Sequence, residues 1–296
     1  MLAEAAGLAG AGGALLAWGT LIERRWFALR HAEIPALRRP GRLRVLHLSD
    51  LHLLPWQRDK MAWVRGLAAH APDLVVVTGD ILGHPEAVEP AVATLAALSA
   101  TGSPALVVLG SNDFFAPAPR NPLGYFAGPS RVRPGRVRLE TDRMVAGLTA
   151  HGWTLLDNTR IAVDTPAGTV DAAGLADPHI RRDRPDLIDW DRPMGDAVLR
   201  LGVVHAPYLR ALDALAGHGA NVVLAGHTHG GQVRVPGIGA LVTNCDLPRA
   251  QARGLSRHGD AWLHVSAGCG TSMYAPVRFC CRPEASLLDL VAAPSL

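Results

Sequence analysis

The sequence predicts an α/β sandwich, with strands buried inside and helices outside. Three observations carry this. Short runs rich in Val and Leu recur as RLRVLHLSD (42–50), DLVVVTGD (73–80) and PALVVLGSND (104–113), each closed by turn residues. Helical stretches near 58–70 and 86–99 lie between them. Continuous apolar runs of this length suit strands covered on both faces, and the alternation is a βαβαβ pattern. The chain has 296 residues, enough for one large domain, and no linker or fixed-period repeat divides it.

The remaining elements follow in order. Residues 1–41 read as an apolar helix followed by a basic linker, Arg38-Arg39-Pro40-Gly41, with the main domain over 42–296. Ala5 to Ile22 carries no charged residue, and Glu23-Arg24-Arg25 follows. That length is at the lower edge for a membrane span. It reads equally as an anchor and as an ordinary helix lying on the domain. As an anchor it would keep the arginines, and hence the domain, on the cytoplasmic side. The expected location is cytoplasmic in both readings. Residues 114–150 break the rhythm with Pro, Gly and arginines at 131, 133, 136, 138 and 143, and read as an insertion or cap. Strand-like segments return at 154–164, 168–177, 199–207, 221–230, 261–268 and 285–291, with a helix between Pro207 and Gly219.

Composition excludes several classes. Apolar residues make up 49% and charged residues 19%, so the chain is not disordered. A net charge of +3 marks no specific nucleic-acid binder. Lys60 follows Asp59 and is the sole lysine, so there is no Gly-Lys pair for a P-loop. Cys245, Cys269, Cys280 and Cys281 form no C-x-x-C pair and are expected to be reduced thiols. No G-x-S-x-G elbow argues for a serine hydrolase.

The chemistry gathers at the strand ends. The first run ends Ser49-Asp50-Leu51-His52, the second Gly79-Asp80 and the third Gly110-Ser111-Asn112-Asp113. Later come His205 and Gly226-His227-Thr228-His229. In open α/β sheets ligands sit beyond the carboxyl ends of strands. Five strand ends therefore deliver carboxylates, an amide and imidazoles to one rim. Extended backbone would point Asp50 and His52 the same way, and likewise His227 and His229. Carboxylate with imidazole suits Mn, Fe, Zn or Ni. So many donors suit two ions sharing a carboxylate, a device for phosphoester hydrolysis. A lone D-x-H or Gly-Asp means little; the ordered set is specific.

The series D-x-H, G-D, G-S-N-D, H and G-H-x-H resembles the calcineurin-like metallophosphoesterases over roughly residues 42–292. The stretch from Pro276-Val277-Arg278-Phe279 to Arg282-Pro283-Glu284 resembles a membrane-associated bacterial subgroup. The resemblance implies a four-layer αββα sandwich of two mixed sheets flanked by helices. It implies one metal held by Asp50, His52, Asp80 and His229, and another by Asp80, Asn112, His205 and His227, with Asp80 bridging. The family has histidine after the ligand asparagine, and Asp113 stands in that place here. Asp113 and Asp80 are therefore the expected catalytic carboxylates, Asp113 either through a raised pKa or by orienting a neighbour. His179, in Asp177-Pro178-His179, could supply the missing imidazole, although a surface turn is the plainer reading.

Two function classes follow: a dinuclear metal-dependent phosphoesterase, acting on a phosphomonoester or phosphodiester, and a metal-binding scaffold whose catalysis is lost through Asp113. The complete donor set favours the enzyme. Arg120, Asn121 and the arginines of 131–143 could face phosphate. The apolar N-terminus and the arginines together point to a phosphorylated small molecule or an anionic, lipid-linked or nucleotide-containing substrate. His70, His84 and His151 read as surface residues.

Overall fold

The computed structural model describes residues 10, 12–119 and 135–293. Fourteen strands appear among them. The chain opens with β1 (Ala28–Leu37), β2 (Arg42–Leu48), β3 (Leu74–Val77), β4 (Ala105–Val107) and β5 (Trp153–Leu155). It continues with β6 (Thr159–Thr165), β7 (Gly168–Leu175), β8 (Leu199–Val204) and β9 (Val222–Ala225). A short hairpin, β10 (Arg234–Val235) and β11 (Gly239–Ala240), precedes β12 (Gly254–His258), β13 (Ala261–Val265) and β14 (Glu284–Ala292). The α-helices used below are α1 (Arg58–Gly66), α2 (Val88–Ser99), α3 (Ser111–Phe114), α4 (Thr141–Ala150) and α5 (Leu209–Gly217).

Two mixed six-stranded sheets face each other, in the orders β1-β14-β2-β3-β4-β5 and β12-β13-β9-β8-β7-β6. The period of two sorts their side chains. On β3, Leu74 and Val76 enter the core between the sheets, while Val75 and Val77 meet the helices. Met61 and Val64 of α1, Leu95 of α2 and Met144 and Leu148 of α4 cover the outer face of the first sheet. Leu212 and Leu215 of α5 cover the second sheet beside Val223 and Leu263. Each such fully buried Leu or Val contributes roughly 1.5–3 kcal/mol. The result is the four-layer αββα sandwich.

Three expectations about the elements are corrected. Residues 28–37 are not linker: β1 pairs in parallel with β14, from Ala28 opposite Glu284 onward. Its mixed sequence, with His31, Glu33 and Pro35, suits an edge strand that shows one border to solvent. The folded domain therefore starts well before residue 42. The segment 154–164 is two strands in different sheets, because the chain crosses from one sheet to the other at Asp157-Asn158. The expected cap at 114–150 is shorter, since 141–150 is α4, the crossover helix between the parallel strands β4 and β5. Arg120, Asn121, Arg131 and Arg133 lie outside the described residues.

The end of the apolar stretch continues as helical turns, Trp18–Ile22 and Glu23–Arg25. Residues 1–9 and 11 lie outside the described residues. Among the described residues no helix is long and apolar enough to cross a membrane. The four cysteines are free.

Candidate metal centre

The two sheets present the ends of their parallel strands at one border. β2, β3 and β4 bring Asp50, Asp80 and Asn112 from the first sheet; β8 and β9 bring His205 and His227 from the second. Just beyond, His52 and His229 complete the group. Asp50, His52 and His229 place donor atoms within 4.8 Å of one another, and so do Asp50, Asp80 and His205.

Asp50 belongs to both groups, and Asp80 of the second reaches toward a histidine of each. The Oδ2 of Asp80 is 3.6 Å from His52 Nε2 and its Oδ1 is 3.6 Å from His205 Nε2. Asn112 caps it, the backbone amide donating to Oδ1 at 2.8 Å and the side-chain amide to Oδ2 at 2.6 Å. His229 Nε2 is 3.5 Å from Asp50 Oδ1. His227 stands beside the second group, its ring 5.2 Å from that of His205 and edge-on to it. The Nε2 of His227 lies 3.1 Å from the Asn244 backbone carbonyl and 3.2 Å from the Asn244 side-chain amide. Space is tight: a Cβ on Gly110 would meet His205 Nε2 at 2.7 Å and collide with Asp80 Oδ1.

The reason for convergence differs from the expected one. Extended backbone does not aim these side chains. Asp50, His52, Asp80, His227 and His229 all have left-handed φ, between 41° and 67°. For residues other than glycine this costs about 1–2 kcal/mol each, and such strain collects at functional sites. The packed strands beneath supply the compensation.

The electrostatics ask for a cation. Asp50 Oδ1 and His205 Nε2 are buried and have no hydrogen-bond partner. Buried polar atoms without partners are costly, so both are fitted to a ligand. Burial, with the nearby charge of Asp80, pushes the Asp50 carboxyl up to about 6. Burial also opposes ionisation of Asp80, yet His205, His52 and the Asn112 hydrogen bonds hold it below the usual carboxylate range. Against the same burial, Asp80, Asp177 and Asp50 raise His205 to about 9. Thus crowded carboxylates recruit a proton onto an imidazole. Burial keeps His52 near 4 and drives His227 and His229 well below 6.5, so these three are neutral and able to ligate.

Asp113 does not face this group. It is fully buried, and its carboxylate accepts from the amides of Ile81 (2.7 Å), Leu82 (3.0 Å) and Gly110 (2.9 Å). It caps the first turn of α3 and braces the loops after β3 and β4. Burial first, then Asp80, raises its carboxyl to about 7. The expected catalytic role of Asp113 is therefore corrected to a brace. A Gly-x-x-Asp spacing at the start of a helix is the signal that identifies it.

His179 is not a plain surface histidine. Its ring lies 4.5 Å from that of His227 and its Nδ1 is 3.1 Å from the Tyr208 hydroxyl. Asp177, fully buried beneath it, has one carboxylate oxygen without a partner. Among the described cap arginines, Arg136 reaches the site, with Nη2 3.4 Å from Asn112 Oδ1. Arg143 instead pairs with Glu89 and Glu140 on the surface. His70 and His151 are exposed, and His84 caps a turn by accepting from the Glu86 amide. Tyr208, Asp177, Asn244 and Arg278 also belong to the surroundings of the site. The stretches holding Asp177 and Arg278 stand out in the sequence, but only the fold brings these four residues to the site.

Residues 43–231 match the family of calcineurin-like phosphoesterases. The chain is 25% identical over 254 residues to the metallophosphoesterase YkuE of Bacillus subtilis (strain 168), covering 83% of this chain and 78% of that one. It is 26% identical over 276 residues to the phosphodiesterase YaeI of Escherichia coli (strain K12), covering 91% and 90%. Among solved structures, TT1561 of Thermus thermophilus overlays 77% of this chain and 91% of its own with a TM-score of 0.43 and 14% identity. With the family matched over most of the sandwich and the clustered carboxylates and imidazoles at its rim, this chain belongs to the calcineurin-like phosphoesterases, a family of metal-dependent phosphoester hydrolases.

Proposed function

We propose that the chain hydrolyses phosphodiesters with two divalent transition-metal ions that share Asp80. The position of Asp80, one oxygen toward His52 and the other toward His205, carries this reading. Asp50, His52, Asp80 and His229 form one ligand set, and Asp80, Asn112, His205 and His227 the other. Mn, Fe, Zn and Ni all suit this donor mixture. Such ions supply Lewis acidity toward phosphoryl oxygens and lower the pKa of a water.

The protein's own residues do the rest. The neutral imidazoles and the two aspartates hold the donors in place. Arg136, whose Nε and Nη2 donate to the Phe115 and Ala116 carbonyls, brings positive charge to within 3.4 Å of Asn112 Oδ1 at the edge of the site. His179, next to His227 and hydrogen-bonded to Tyr208, is the imidazole placed to protonate the leaving oxygen. The name of YaeI as a phosphodiesterase supports a diester over a monoester. Because Asp113 braces loops in the place where the family has histidine, this reading assigns the leaving-group proton to His179 instead.

A lipid-linked or nucleotide-containing diester is the favoured substrate class. Leu15, Leu16, Trp18, Leu21, Ile22 and Trp26 are all exposed large apolar residues in one segment, with Arg25 exposed among them. Tryptophan and arginine beside leucine suit a membrane interface. A chain starting at Arg42 would lose β1, so the membrane contact is tested by substitution. Leu16→Glu with Leu21→Glu should abolish sedimentation with anionic vesicles and leave hydrolysis of a soluble diester unchanged. Full sedimentation by this variant removes the membrane contact.

The function is tested with bis(p-nitrophenyl) phosphate and added Mn²⁺. Hydrolysis that needs the metal is expected. A metal-loaded protein inert on aryl diesters and monoesters alike contradicts it.

A further inference from the structure

The stretch PVRFCCRPE, residues 276–284, has no part in the hydrolysis just described. We propose that Arg278 is a positioning residue that fixes the His229 ring for metal binding, and that the N-terminal segment locks Arg278 in place. The inference rests on His229 being a metal ligand.

Arg278 is fully buried. Its Nη2 donates to the carbonyls of Gly270 at 2.6 Å and Gly268 at 3.1 Å. Its Nη1 reaches the carbonyls of Cys281 at 3.3 Å and His229 at 3.4 Å. The guanidinium thus ties together three loops that meet beside the metal centre. Burying such a cation is expensive before compensation, and an apolar side chain would fill the space at less cost.

The Gly270 carbonyl gives the expense a purpose. It also lies 3.2 Å from His229 Nδ1. Arg278 Nη2 lies 3.4 Å from the same Nδ1, but the shorter contact, in which the carbonyl accepts a hydrogen bond from Nδ1–H, selects the tautomer whose Nε2 lone pair faces Asp50 and His52. One oxygen is shared: Arg278 holds the carbonyl, and the carbonyl holds the ring.

The N-terminal segment closes the arrangement. The Arg278 amide donates to the Gly19 carbonyl at 3.0 Å, and a Cβ on Gly19 would come within 2.6 Å of the Arg278 oxygen. Buried Glu23 accepts from the Cys281 amide at 2.6 Å and from Trp18 Nε1 at 2.9 Å. Arg282 donates to the carbonyls of Trp26 and Phe27, both at 2.8 Å. The loop that carries Arg278 is therefore fastened along its length by residues 18–27. Glu23 and Arg278 act through His229 and touch no substrate.

The test uses the full chain with ¹⁵N-labelled histidine, in wild-type, Arg278→Lys, Arg278→Met and Glu23→Leu forms. In metal-free wild-type protein the His229 ring should be the Nδ1–H tautomer. In the variants it should become a mixture. Titration with Co²⁺, read by visible absorption, should show the site containing His229 weakened about 10- to 100-fold and the other site held within about twofold. If Arg278→Met does not fold, Arg278→Lys and Glu23→Leu still decide. An unchanged tautomer with unchanged Co²⁺ affinities in any folded variant overturns the inference. A wild-type chain that takes up no Co²⁺ overturns the metal centre, while the tautomer still decides what Arg278 does.

Discussion

The Nε2 atoms of His52 and His229 face each other at 3.2 Å, with the rings nearly parallel. His52 is buried and His229 half-buried, and desolvation lowers the pKa of both imidazoles, so both are neutral. The His229 tautomer described above turns a lone pair toward this gap. A cation between such nitrogens binds the folded chain and not the unfolded one. Chelation should therefore lower Tm by about 4–5 °C for each ion, taking free metal near a hundred times Kd and a domain of this size. Differential scanning calorimetry with EDTA, then with excess Mn²⁺, measures this. Equal Tm values in both would remove the metal from the folded state.

Asp113 accepts from three backbone amides, so it matters for stability. Asp113→Asn keeps the shape but turns an amine toward an amide hydrogen. The loss should be about 1.5–3 kcal/mol, the range for a hydrogen bond to a charged group. Urea unfolding of the metal-free protein gives this number. Activity measured well below Tm should fall less than about tenfold. A general acid would lose about 10²- to 10⁴-fold on removal, so a deficit of that size in a folded variant would restore the catalytic role.

His179 is assigned to the leaving group. His179→Ala should slow hydrolysis of an alkyl ester of the same phosphate by about 10²-fold or more, while a p-nitrophenyl ester, whose anion leaves unaided, loses little. Parallel kcat measurements on the two esters check this. Equal losses on both would place His179 in binding instead.

Away from the metal, His47 of β2 and His264 of β13 meet between the sheets, Nδ1 to Nδ1 at 2.9 Å, and His47 Nε2 contacts Thr78 Oγ1 at 3.0 Å. Burial holds His264 at about 4 and, with His264 beside it, His47 well below 6.5. The folded-state pKa values lie below the unfolded ones. Between about pH 6.5 and 4 the unfolded chain binds more protons, so this pair's stability contribution is present above pH 6.5 and lost on acidification. For His264 alone the loss is about 3 kcal/mol. Urea unfolding of metal-free protein from pH 7.5 to 4.5 should show a shallower pH slope in His264→Gln than in wild type. Identical slopes would mean the pair titrates normally.

The sandwich was legible because its buried strands are continuous Val and Leu runs, as in DLVVVTGD. The donors were legible because each sits just past such a run. The left-handed turns that aim them were not, since Asp and His are enriched at positive φ but adopt it in only a small share of their occurrences. β1 was missed because an edge strand tolerates His31, Glu33 and Pro35. Asp113 was misassigned because its place next to Asn112 outweighed its spacing from Gly110, which makes it a helix cap. Arg278 and Tyr208 act through partners dozens of residues away, and only the folded chain joins them.

The central claim is that Asp80 is shared by two ions. The most direct measurement is the metal content of dialysed protein, counted by inductively coupled plasma mass spectrometry, for wild type and Asp80→Ala. Two ions per wild-type chain, and at most one per variant chain with hydrolysis reduced by about 10³-fold or more, is the predicted result. Two ions retained by Asp80→Ala, or a single ion in fully active wild type, would contradict it.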